Sequence, residues 1–440
     1  MTPSRLAAFR ILLAIAKSRG NSDALLQSPQ VTALSSADRN LTTTLVMGTL
    51  RWQIVLDAEI RKYLSRPDAS LPIEASVAMR LGAFQLMFLE RVPVHAALNE
   101  SVELVKQSGA PHTAGLVNAV LRKIAKPATL AADIAEQAHP DWLLARWRRS
   151  YGKTATQIIC DYDQNVPPAC LRVARPSEET QLQAEGVELQ PSAFLRNARV
   201  ATGRLGEIAA FKKGQVRTQD EGSQLVAELA GFGNDILDCC AAPGGKTAVL
   251  AENNPNASIL ACDINADRLR TMKKLLASSG VRTQIEYRQA DAEKLPNDMK
   301  ERFDLVLCDV PCSGTGTLAR NPEIRHRVSI ASIRDQQARQ KRILRSALQT
   351  VKPGGRIVYS TCSLEPEENE DVVAALLQER PDVRQIDVRE RLSELDAAGR
   401  LRDGAAVHLS EQAVKDKALH LLPGAFRCDG FFAAVLARQG

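Results

Sequence analysis

Two cysteines and one aspartate stand in turns that a substrate could reach. Asp309 and Cys312 belong to the run D-V-P-C-S-G-T-G (Asp309–Gly316), and Cys362 belongs to the run S-T-C-S (Ser360–Ser363). Each run follows an apolar stretch that predicts a β-strand, and its small residues leave room for a ligand. Two thiols and an acid at neighbouring strand ends can act as a nucleophile, a second thiol and a proton donor. The pattern is therefore a candidate for thiol-based catalysis.

A second candidate site is the loop in I-L-D-C-C-A-A-P-G-G-K-T (Ile236–Thr247). A short apolar strand that ends in small residues before a helix offers free N–H groups and close backbone approach. The P-loop pattern fails because Cys240 stands where its first glycine belongs, and the dinucleotide pattern G-x-G-x-x-G fails as well. A nucleotide-like ligand without a phosphate chain remains, and adenosylmethionine is the candidate. The alternative is an ordinary glycine-rich turn between a strand and a helix.

Two further acids lie where the same ligand could need them. Asp263 follows the loop by about twenty residues, where an acid can accept hydrogen bonds from a ribose diol. Asp291 could accept a hydrogen bond from an adenine amino group, although an aspartate after a strand is also a routine helix cap. Together, the two acids favour an adenosine-containing cofactor.

The elements that must position these residues are predicted from the apolar periodicity after residue 236. Strand-like runs alternate with helical patterns, which predicts a mostly parallel sheet with helices on both faces. Ligands of such sheets bind at the carboxyl ends of the strands, where all the acids and thiols named above fall. The strand-like runs are Ile259–Asp263, Gln284–Arg288, Phe303–Cys308 and Arg356–Ser360, and the clearest helical patterns are Ala266–Ser278 and Ile330–Val351.

The chain before this sheet divides into two further predicted domains. Residues 1–126 show helical spacing and predict a compact all-α domain. Residues 127–218 predict a linker around Pro127, a helix and a small α/β insert with short strand-like runs. The main α/β domain is then predicted to occupy residues 219–440.

Composition narrows the class of protein. The 440 residues are 45% hydrophobic and 25% charged, which is typical of soluble globular domains, and no apolar run reaches the length of a membrane span. The nine cysteines include no C-x-x-C pair, which argues against a disulfide framework and a zinc site. We therefore expect a cytoplasmic protein with no metal and no membrane partner. Residues 1–150 hold 18 Lys and Arg against 12 Asp and Glu, and this excess favours a polyanionic partner.

Two stretches could contact nucleic acid. A predicted helix at Asp141–Tyr151 carries Trp142 and Trp147 beside arginines, and such aromatic side chains can stack on bases. The alternative, favoured by the usual burial of tryptophan, is a pair of packing anchors. The basic run Ala319–Arg327 follows the Cys312 turn and predicts contacts with phosphates at the mouth of the site, against the alternative of a solvated loop.

Long motifs carry a family resemblance. The motifs in residues 219–440 resemble the RNA cytosine-5 methyltransferases, and two helical stretches, Pro93–Lys106 and Gly115–Ile124, resemble the NusB-type antitermination factors, a family that binds RNA. The resemblance implies an all-α NusB-like domain, a small α/β insert and an α/β Rossmann-like (class I) adenosylmethionine-dependent methyltransferase domain. The methyltransferase motifs are D-C-C-A-A-P-G-G-K-T, D-V-P-C-S-G-T-G-T-L-A-R-N-P-E-I-R, S-T-C-S-L-E-P-E-E-N-E and L-L-P-G-A-F-R-C-D-G-F-F.

The resemblance also implies roles for single residues. Position 5 of cytosine is too weak a nucleophile to be methylated directly, so a thiolate first adds to C6, and by motif this thiolate belongs to Cys362. Asp309 would protonate N3, and Cys312 would assist removal of the C5 proton and release of the adduct. DNA cytosine-5 methyltransferases use their Pro-Cys thiol as the nucleophile, so analogy with them would instead choose Cys312. The implied cofactor-binding residues are Cys240, Ala241, Ala242, Pro243, Gly244, Gly245, Lys246, Asp263, Asp291 and Asp309.

Some implications stay open at the level of sequence. Lys246 could contact the methionine carboxylate of the cofactor, contact the RNA backbone or stabilise a nearby aspartate. The implied substrate is one cytosine of small-subunit (16S) ribosomal RNA, and the chain is expected to be a monomer. A transfer RNA target is an alternative that keeps the chemistry. A non-enzymatic RNA-binding factor with a degenerate fold is a second alternative, and the complete set of acids and thiols argues against it.

Overall fold

The computed structural model describes the chain except residues 69, 126–132, 204, 206–207, 213–215 and 279–282. Its contacts divide the described chain into two units. The helical unit comprises Met1–Val166 and Leu318–Arg327, and the α/β unit comprises Pro167–Thr317 and Val328–Gly440. These units do not coincide with the three predicted domains, 1–126, 127–218 and 219–440, whose boundaries stay a prediction. The predicted linker around Pro127 lies outside the described residues.

The helical unit is built on the long helix α4. Ser35 caps this helix by accepting a hydrogen bond from the N–H of Asp38, which satisfies one of the free donors at its start. Buried apolar side chains from the longer helices, including Leu45 and Met79, form one core. Gly48 lies where a Cβ atom would overlap the ring of Phe84, so α4 and α5 cross closely. The helices are α1 Pro3–Ala16, α2 Ser22–Leu26, α3 Pro29–Thr32, α4 Ser36–Arg61, α5 Ile73–Phe88, α6 Val94–Gln107, α7 Ala114–Ile124, α8 Ile134–Gln137 and α9 Asp141–Gln164.

The helix that carries two tryptophans packs inside the helical unit. Helix α9 runs well past the predicted end at Tyr151, and it bends at Gly152, whose φ is 81°. Trp147 is 1% exposed, and its ring meets that of His139 edge-on with 5.8 Å between centroids. Trp147 is therefore a packing anchor, which is the interpretation that the sequence favoured, and its buried ring cannot stack on RNA bases.

The basic run after the Cys312 turn is also a packing element. Arg325 is 1% exposed, and its Nη1 donates to the carbonyl oxygens of Arg51 at 3.2 Å and Ala138 at 3.1 Å. Glu323 accepts hydrogen bonds from Ser22, at 2.8 Å from the backbone N–H. The expectation that these arginines meet phosphates at the mouth of the site is wrong for Arg325, which connects the middle of α4 to the end of α8 inside the helical unit.

The α/β unit begins with a small antiparallel sheet. Its strand order is β2-β3-β1-β4, and its own apolar cluster lies between the sheet and the helix α10. The predicted α/β insert is therefore confirmed at residues 169–218. Its elements are β1 Ala169–Arg172, α10 Pro176–Ala184, β2 Glu188–Pro191, β3 Ala198–Thr202, α11 Ala209–Lys212 and β4 Arg217–Thr218.

The main sheet of the α/β unit has nine strands among the described residues, in the order β11-β12-β13-β9-β8-β5-β6-β7, with β10 paired to β13. Strands β5 to β9 are parallel, and β13 runs antiparallel to β9. The elements are α12 Glu221–Ala230, β5 Asp235–Asp238, α13 Gly245–Asn253, β6 Ser258–Asp263, α14 Ala266–Ser278, β7 Gln284–Gln289, β8 Phe303–Asp309, α15 Ile330–Leu348, β9 Val351–Thr361, α16 Glu370–Glu379, β10 Val383–Ile386, α17 Val388–Ala397, α18 Ala405–Gln412, β11 Val414–Lys415, β12 Ala418–Leu421 and β13 Phe431–Arg438.

Both faces of this sheet are buried, as the continuous apolar strands predict. On β8, Leu305 and Leu307 belong to one core cluster, whereas Val306 and Cys308 belong to the cluster on the opposite face. The chain order changes direction between β5 and β8, which are parallel neighbours. In a doubly wound sheet, such a switch point opens a crevice at the carboxyl ends of the strands, where ligands bind. Among the described residues, no helix is long and apolar enough to cross a membrane.

Candidate active site

The loop after β5 forms the first wall of this crevice. Its small residues let it fold back on β6, where the N–H of Ala241 donates to the carbonyl oxygen of Cys262 at 2.7 Å. Gly244 has a φ of 103°, and a Cβ atom there would lie 2.7 Å from Cγ of Met272. A side chain at this position would therefore be both strained and blocked. Helix α13 then starts at Gly245 and turns the loop into the crevice.

A cavity of about 290 Å³ lies in the crevice, within the range of small-molecule sites. Five predicted residues line it: Cys240, Ala242, Asp263, Asp291 and Asp309. The other predicted cofactor residues do not line the cavity and belong to the loop behind it. They are Ala241, Pro243, Gly244, Gly245 and Lys246.

Several residues that the sequence did not single out also line the cavity, and two of them, Ile264 and Arg268, follow Asp263 closely in the chain. Arg268 donates to the carbonyl oxygen of Ala242, and its Nη1 lies 3.4 Å from Oδ2 of Asp263. Ile264 is 52% exposed at the end of β6. Their position shortly after Asp263, the candidate ligand of the ribose, was the only sequence signal for these two residues.

The two cavity acids differ in their surroundings. Asp263 is 5% exposed, and its oxygens accept hydrogen bonds from the N–H groups of Asn265 at 2.9 Å and Ala242 at 3.3 Å. These bonds fix the carboxylate at the end of β6. Asp291 is exposed and accepts a hydrogen bond from the N–H of Glu293 at 3.0 Å. The capping function that the sequence left open for Asp291 is thus present, and the same side chain faces the cavity.

The two cysteines meet at the ends of β8 and β9. These strands are parallel neighbours with Asp309 opposite Ser360, so the turns that follow them lie side by side. The sulfur atoms of Cys312 and Cys362 are 3.4 Å apart. The hydrogen bond to Cys362, burial and nearby negative charge raise the pKa of Cys312 well above its ordinary value. Cys312 therefore keeps its proton and can donate a hydrogen bond to the Cys362 sulfur.

Backbone contacts hold the cysteine turns together. The N–H of Gly316 donates to the carbonyl oxygen of Cys362 at 2.9 Å, and its own carbonyl oxygen accepts from the N–H of Gly430 at 2.7 Å. A Cβ atom on Gly316 would lie 2.5 Å from the Gly430 oxygen and 2.9 Å from the Cys362 oxygen. Glycine is therefore required at 316 by close backbone approach.

Asp309 joins the thiol pair to the loop after β5. Its Oδ2 accepts from Nζ of Lys246 at 2.7 Å, and its Oδ1 accepts from the hydroxyl of Ser360 at 2.7 Å. Nζ of Lys246 also lies 5.2 Å from the ring centroid of Phe431. Burial lowers the pKa of Lys246, but the negative charges of Asp309, Cys362 and a buried acid outweigh burial and raise it. Of the three roles that the sequence left open for Lys246, the structure shows the pairing with an aspartate.

The buried acid is Asp238, which the sequence analysis did not consider. It is 1% exposed at the end of β5, and its Oδ2 accepts from the hydroxyl of Thr247 at 2.7 Å. Burial and the charge of Asp309 raise the pKa of Asp238 to about 7. No cluster of metal-binding side chains occurs within the part of the chain that the structure describes.

The α/β unit has the features of a Rossmann-like methyltransferase domain. Its parallel strands follow the order β7-β6-β5-β8-β9, the antiparallel β13 lies beside β9, and acids border the cavity at the switch point. Three family models match the chain. The model described as 16S rRNA methyltransferase RsmB/F matches residues 230–437, and the NusB family model matches residues 2–126. A model for the ferredoxin-like domain of RsmF/B-like methyltransferases matches residues 139–200.

Relatives match over the whole length. The probable ribosomal RNA small subunit methyltransferase B of Bacillus subtilis is 32% identical over 100% of this chain and 99% of its own. The ribosomal RNA small subunit methyltransferase B of Xanthomonas campestris is 31% identical over 99% and 97% of the two chains. The crystal structure of PH0851 covers 99% of both chains with a TM-score of 0.80 at 22% identity, which shows a shared fold. The chain belongs to the ribosomal RNA small subunit methyltransferase B family, and the predicted NusB-like and Rossmann-like domains are confirmed.

Proposed function

We propose that this chain transfers a methyl group from adenosylmethionine to C5 of one cytosine in small-subunit ribosomal RNA, through a covalent adduct between Cys362 and C6. The observation that carries the proposal is the thiol pair: two cysteines fifty residues apart in sequence have sulfur atoms 3.4 Å apart. Asp309 borders both the pair's turn and the cavity after β5. A nucleophile, a proton donor and a cofactor site thus converge at one strand end.

The cavity residues fit an adenosine-containing cofactor. Asp263 is held by backbone N–H groups at the position for a ribose diol, and the loop behind it is kept free of side chains at Gly244. The exposed Ile264 offers an apolar surface for an adenine ring, and Asp291 offers an acceptor for its amino group. When bound, this cofactor supplies an electrophilic methyl group and leaves as the neutral thioether.

Cys362 is the better nucleophile of the two thiols. Cys312 keeps its proton and can donate to the Cys362 sulfur, and the ammonium group of Lys246 acts on Cys362 through its charge. A hydrogen-bond donor and a cation beside its sulfur favour Cys362 as the attacking group. The same proton on Cys312 makes Cys312 a poorer attacking group before the adduct forms.

The chemistry can be balanced with these side chains. The thiolate of Cys362 forms a bond to C6, and N3 takes the proton that Asp309 shares with Lys246 at 2.7 Å. The enamine so formed makes C5 nucleophilic, and C5 gains the methyl group. Cys312 passes its own proton to solvent water, and its thiolate takes the hydrogen from C5 as a proton, which restores the Cys312 thiol. The electrons of the C5–H bond form the C5–C6 double bond, and the Cys362–C6 bond breaks with its electrons returning to sulfur. N3 returns its proton to the Lys246–Asp309 pair, and the aromatic ring is restored.

The experiment compares wild type with Cys362→Ala, Cys312→Ala and the control Cys160→Ala, which removes a thiol from the helical unit. Each protein is incubated with methyl-labelled adenosylmethionine and a 16S ribosomal RNA transcript, and the products are resolved on a denaturing gel. Wild type and Cys160→Ala should label RNA. Cys362→Ala should label nothing, and Cys312→Ala should accumulate a protein–RNA adduct because the adduct is no longer resolved.

Other outcomes would contradict the proposal. An adduct in Cys362→Ala with none in Cys312→Ala would reverse the roles of the thiols. Absence of label with wild type on both the transcript and total RNA would favour the degenerate-fold alternative. Label confined to transfer RNA would favour the transfer RNA target.

A further inference from the structure

One buried carboxylate touches both cysteine turns. Glu368 is 0% exposed and lies in a short 3-10 turn after β9. Its Oε1 accepts from the N–H of Ser313 at 2.8 Å and from Nε2 of Gln340 at 3.0 Å. Its Oε2 accepts from the hydroxyl of Ser363 at 2.5 Å and from the hydroxyl of Ser313.

The two serines are the immediate neighbours of the two thiols. Ser313 follows Cys312, and Ser363 follows Cys362. The serine hydroxyl oxygens also lie 3.1 Å from each other, so the carboxylate that accepts from both of them bridges the two turns. We propose that Glu368 is a positioning residue that holds Cys312 and Cys362 within hydrogen-bond distance of each other. This inference rests on the proposed function of the thiol pair.

The hydrogen-bond donors around Glu368 require a carboxylate side chain at this position. All four groups around Glu368 donate, and an ionised carboxylate only accepts, so every bond is satisfied. A glutamine at this position would turn an NH₂ group toward the N–H or hydroxyl donors and leave buried groups unpaired. A buried charge is otherwise unfavourable, and here the four donors compensate it.

The charge of Glu368 also acts on Cys312. It is one of the causes that raise the pKa of Cys312, after the hydrogen bond to Cys362, burial and the charge of Cys362. Removing the negative charge should therefore lower the pKa of Cys312. The titratable groups around the thiol pair are Glu368, Tyr359, Asp309 and Lys246, of which only Lys246 is a cation.

The test measures thiol reactivity in the full-length protein without RNA or cofactor, so it does not depend on methyl transfer. Iodoacetamide alkylation of Cys312 and Cys362 is followed by peptide mass spectrometry from pH 6 to 10 in wild type, Glu368→Gln and Glu368→Asp. The matched control is Glu221→Gln, which removes another buried carboxylate whose four hydrogen bonds go to Ser192 and residues 193–195.

We expect Glu368→Gln to alkylate Cys312 at least about twofold faster than wild type at pH 8, because a lower pKa raises the fraction of thiolate. In turnover with 16S ribosomal RNA, kcat should fall at least about tenfold while KM for RNA changes less than about twofold. Glu368→Asp keeps the charge but shortens the side chain, so its alkylation profile should stay near wild type while kcat falls. Glu221→Gln should leave both readouts unchanged.

Three results would overturn the inference. The first is a wild-type alkylation profile and a wild-type kcat in Glu368→Gln. The second is an equal shift in Glu221→Gln, which would indicate general loosening of the fold. The third, if Glu368→Gln fails to fold, is a wild-type kcat in Glu368→Asp. If wild type methylates no RNA, the proposed function fails, but the alkylation profiles still test the positioning by Glu368.

Discussion

Replacement of Arg325 by methionine tests the finding that the basic run after the cysteine turn is part of the helical core. The guanidinium is 1% exposed and donates to two carbonyl oxygens of the helical unit. Burial lowers the pKa of Arg325 to about 10, and the charge of Asp163 works against that effect. Asp163 is itself 0% exposed, and its Oδ2 lies 3.3 Å from Nε2 of His139. Methionine fills similar space but removes one of the two buried cations, Arg51 and Arg325, whose charge acts on Asp163.

The expected loss follows from two lost hydrogen bonds and from a lost charge among interacting buried groups. Removing one partner of a buried charge interaction costs about 3–5 kcal/mol when the remaining charge is left uncompensated, and Arg51 compensates part of it here. The lowered pKa of Arg325 shows that holding its charge in the core is itself unfavourable, and methionine relieves that cost. We therefore expect the lower end, about 3 kcal/mol. With a urea dependence of about 2 kcal/mol per molar, the unfolding midpoint should fall by about 1.5 M.

Tryptophan fluorescence can follow this transition selectively, because all three tryptophans, Trp52, Trp142 and Trp147, belong to the helical unit. The exposed Arg10 provides the matched control: Arg10→Met should shift the midpoint by less than about 0.3 M. The double variant Arg325→Met with Asp163→Asn should lose less stability than the sum of the two single variants, because the two charges act on each other. An unchanged midpoint in Arg325→Met, together with weaker RNA binding, would refute the packing function of Arg325.

Three further predictions concern the α/β unit. Asp263→Asn should raise the Kd for adenosylmethionine, measured by calorimetry, at least about tenfold, because the proposed charge-assisted hydrogen bond to the ribose is weakened. A Kd within twofold of wild type would contradict this. Gly316→Ala should destabilise the protein by about 1–3 kcal/mol and reduce adduct formation, whereas Gly115→Ala, with open space around its Cβ position, should do neither. Asp238 has a pKa of about 7 when folded, above its unfolded value, so its contribution to stability is present at low pH and is lost as the pH rises through 7. Urea titrations at pH 5 and pH 8 should show that Asp238→Asn removes up to roughly 3 kcal/mol of this pH dependence, because about two pKa units lie between pH 5 and the pKa near 7. An identical dependence in wild type and variant would refute it.

The sequence predicted those parts of the site that depend on strand ends. Asp263, Asp309 and Cys362 each follow a run of apolar residues, and parallel strands bring their carboxyl ends to one edge. The contact between Cys312 and Cys362 follows from the pairing of β8 with β9. Family motifs added the assignment of roles, which no periodicity contains.

The parts that escaped prediction depend on tertiary burial. Arg325 stands in a polar run with no apolar periodicity, so nothing local distinguishes a buried guanidinium from a solvated one. Glu368 is one of four acids in the run L-E-P-E-E-N-E, and local spacing does not tell which acid turns inward. Asp238 ends an apolar strand, but its burial depends on α13 and on the neighbouring strands. In each case, the decisive partner is distant in sequence.

The helical unit consists of two separate segments of the chain, and this has a consequence for synthesis on the ribosome. Its last segment, Leu318–Arg327, is separated from Val166 by residues 167–317, which include the small antiparallel sheet and strands β5 to β8 of the main sheet. At about 5–20 residues per second, the ribosome needs roughly 8 to 32 s to make residues 167–327. During that interval, Ser22 lacks its hydrogen-bond acceptor Glu323, and Asp163 lacks the nearby charge of Arg325. The amino-terminal unit is therefore made first but completed late, and a truncated chain that ends at residue 166 should expose an unfilled core to chaperones and proteases.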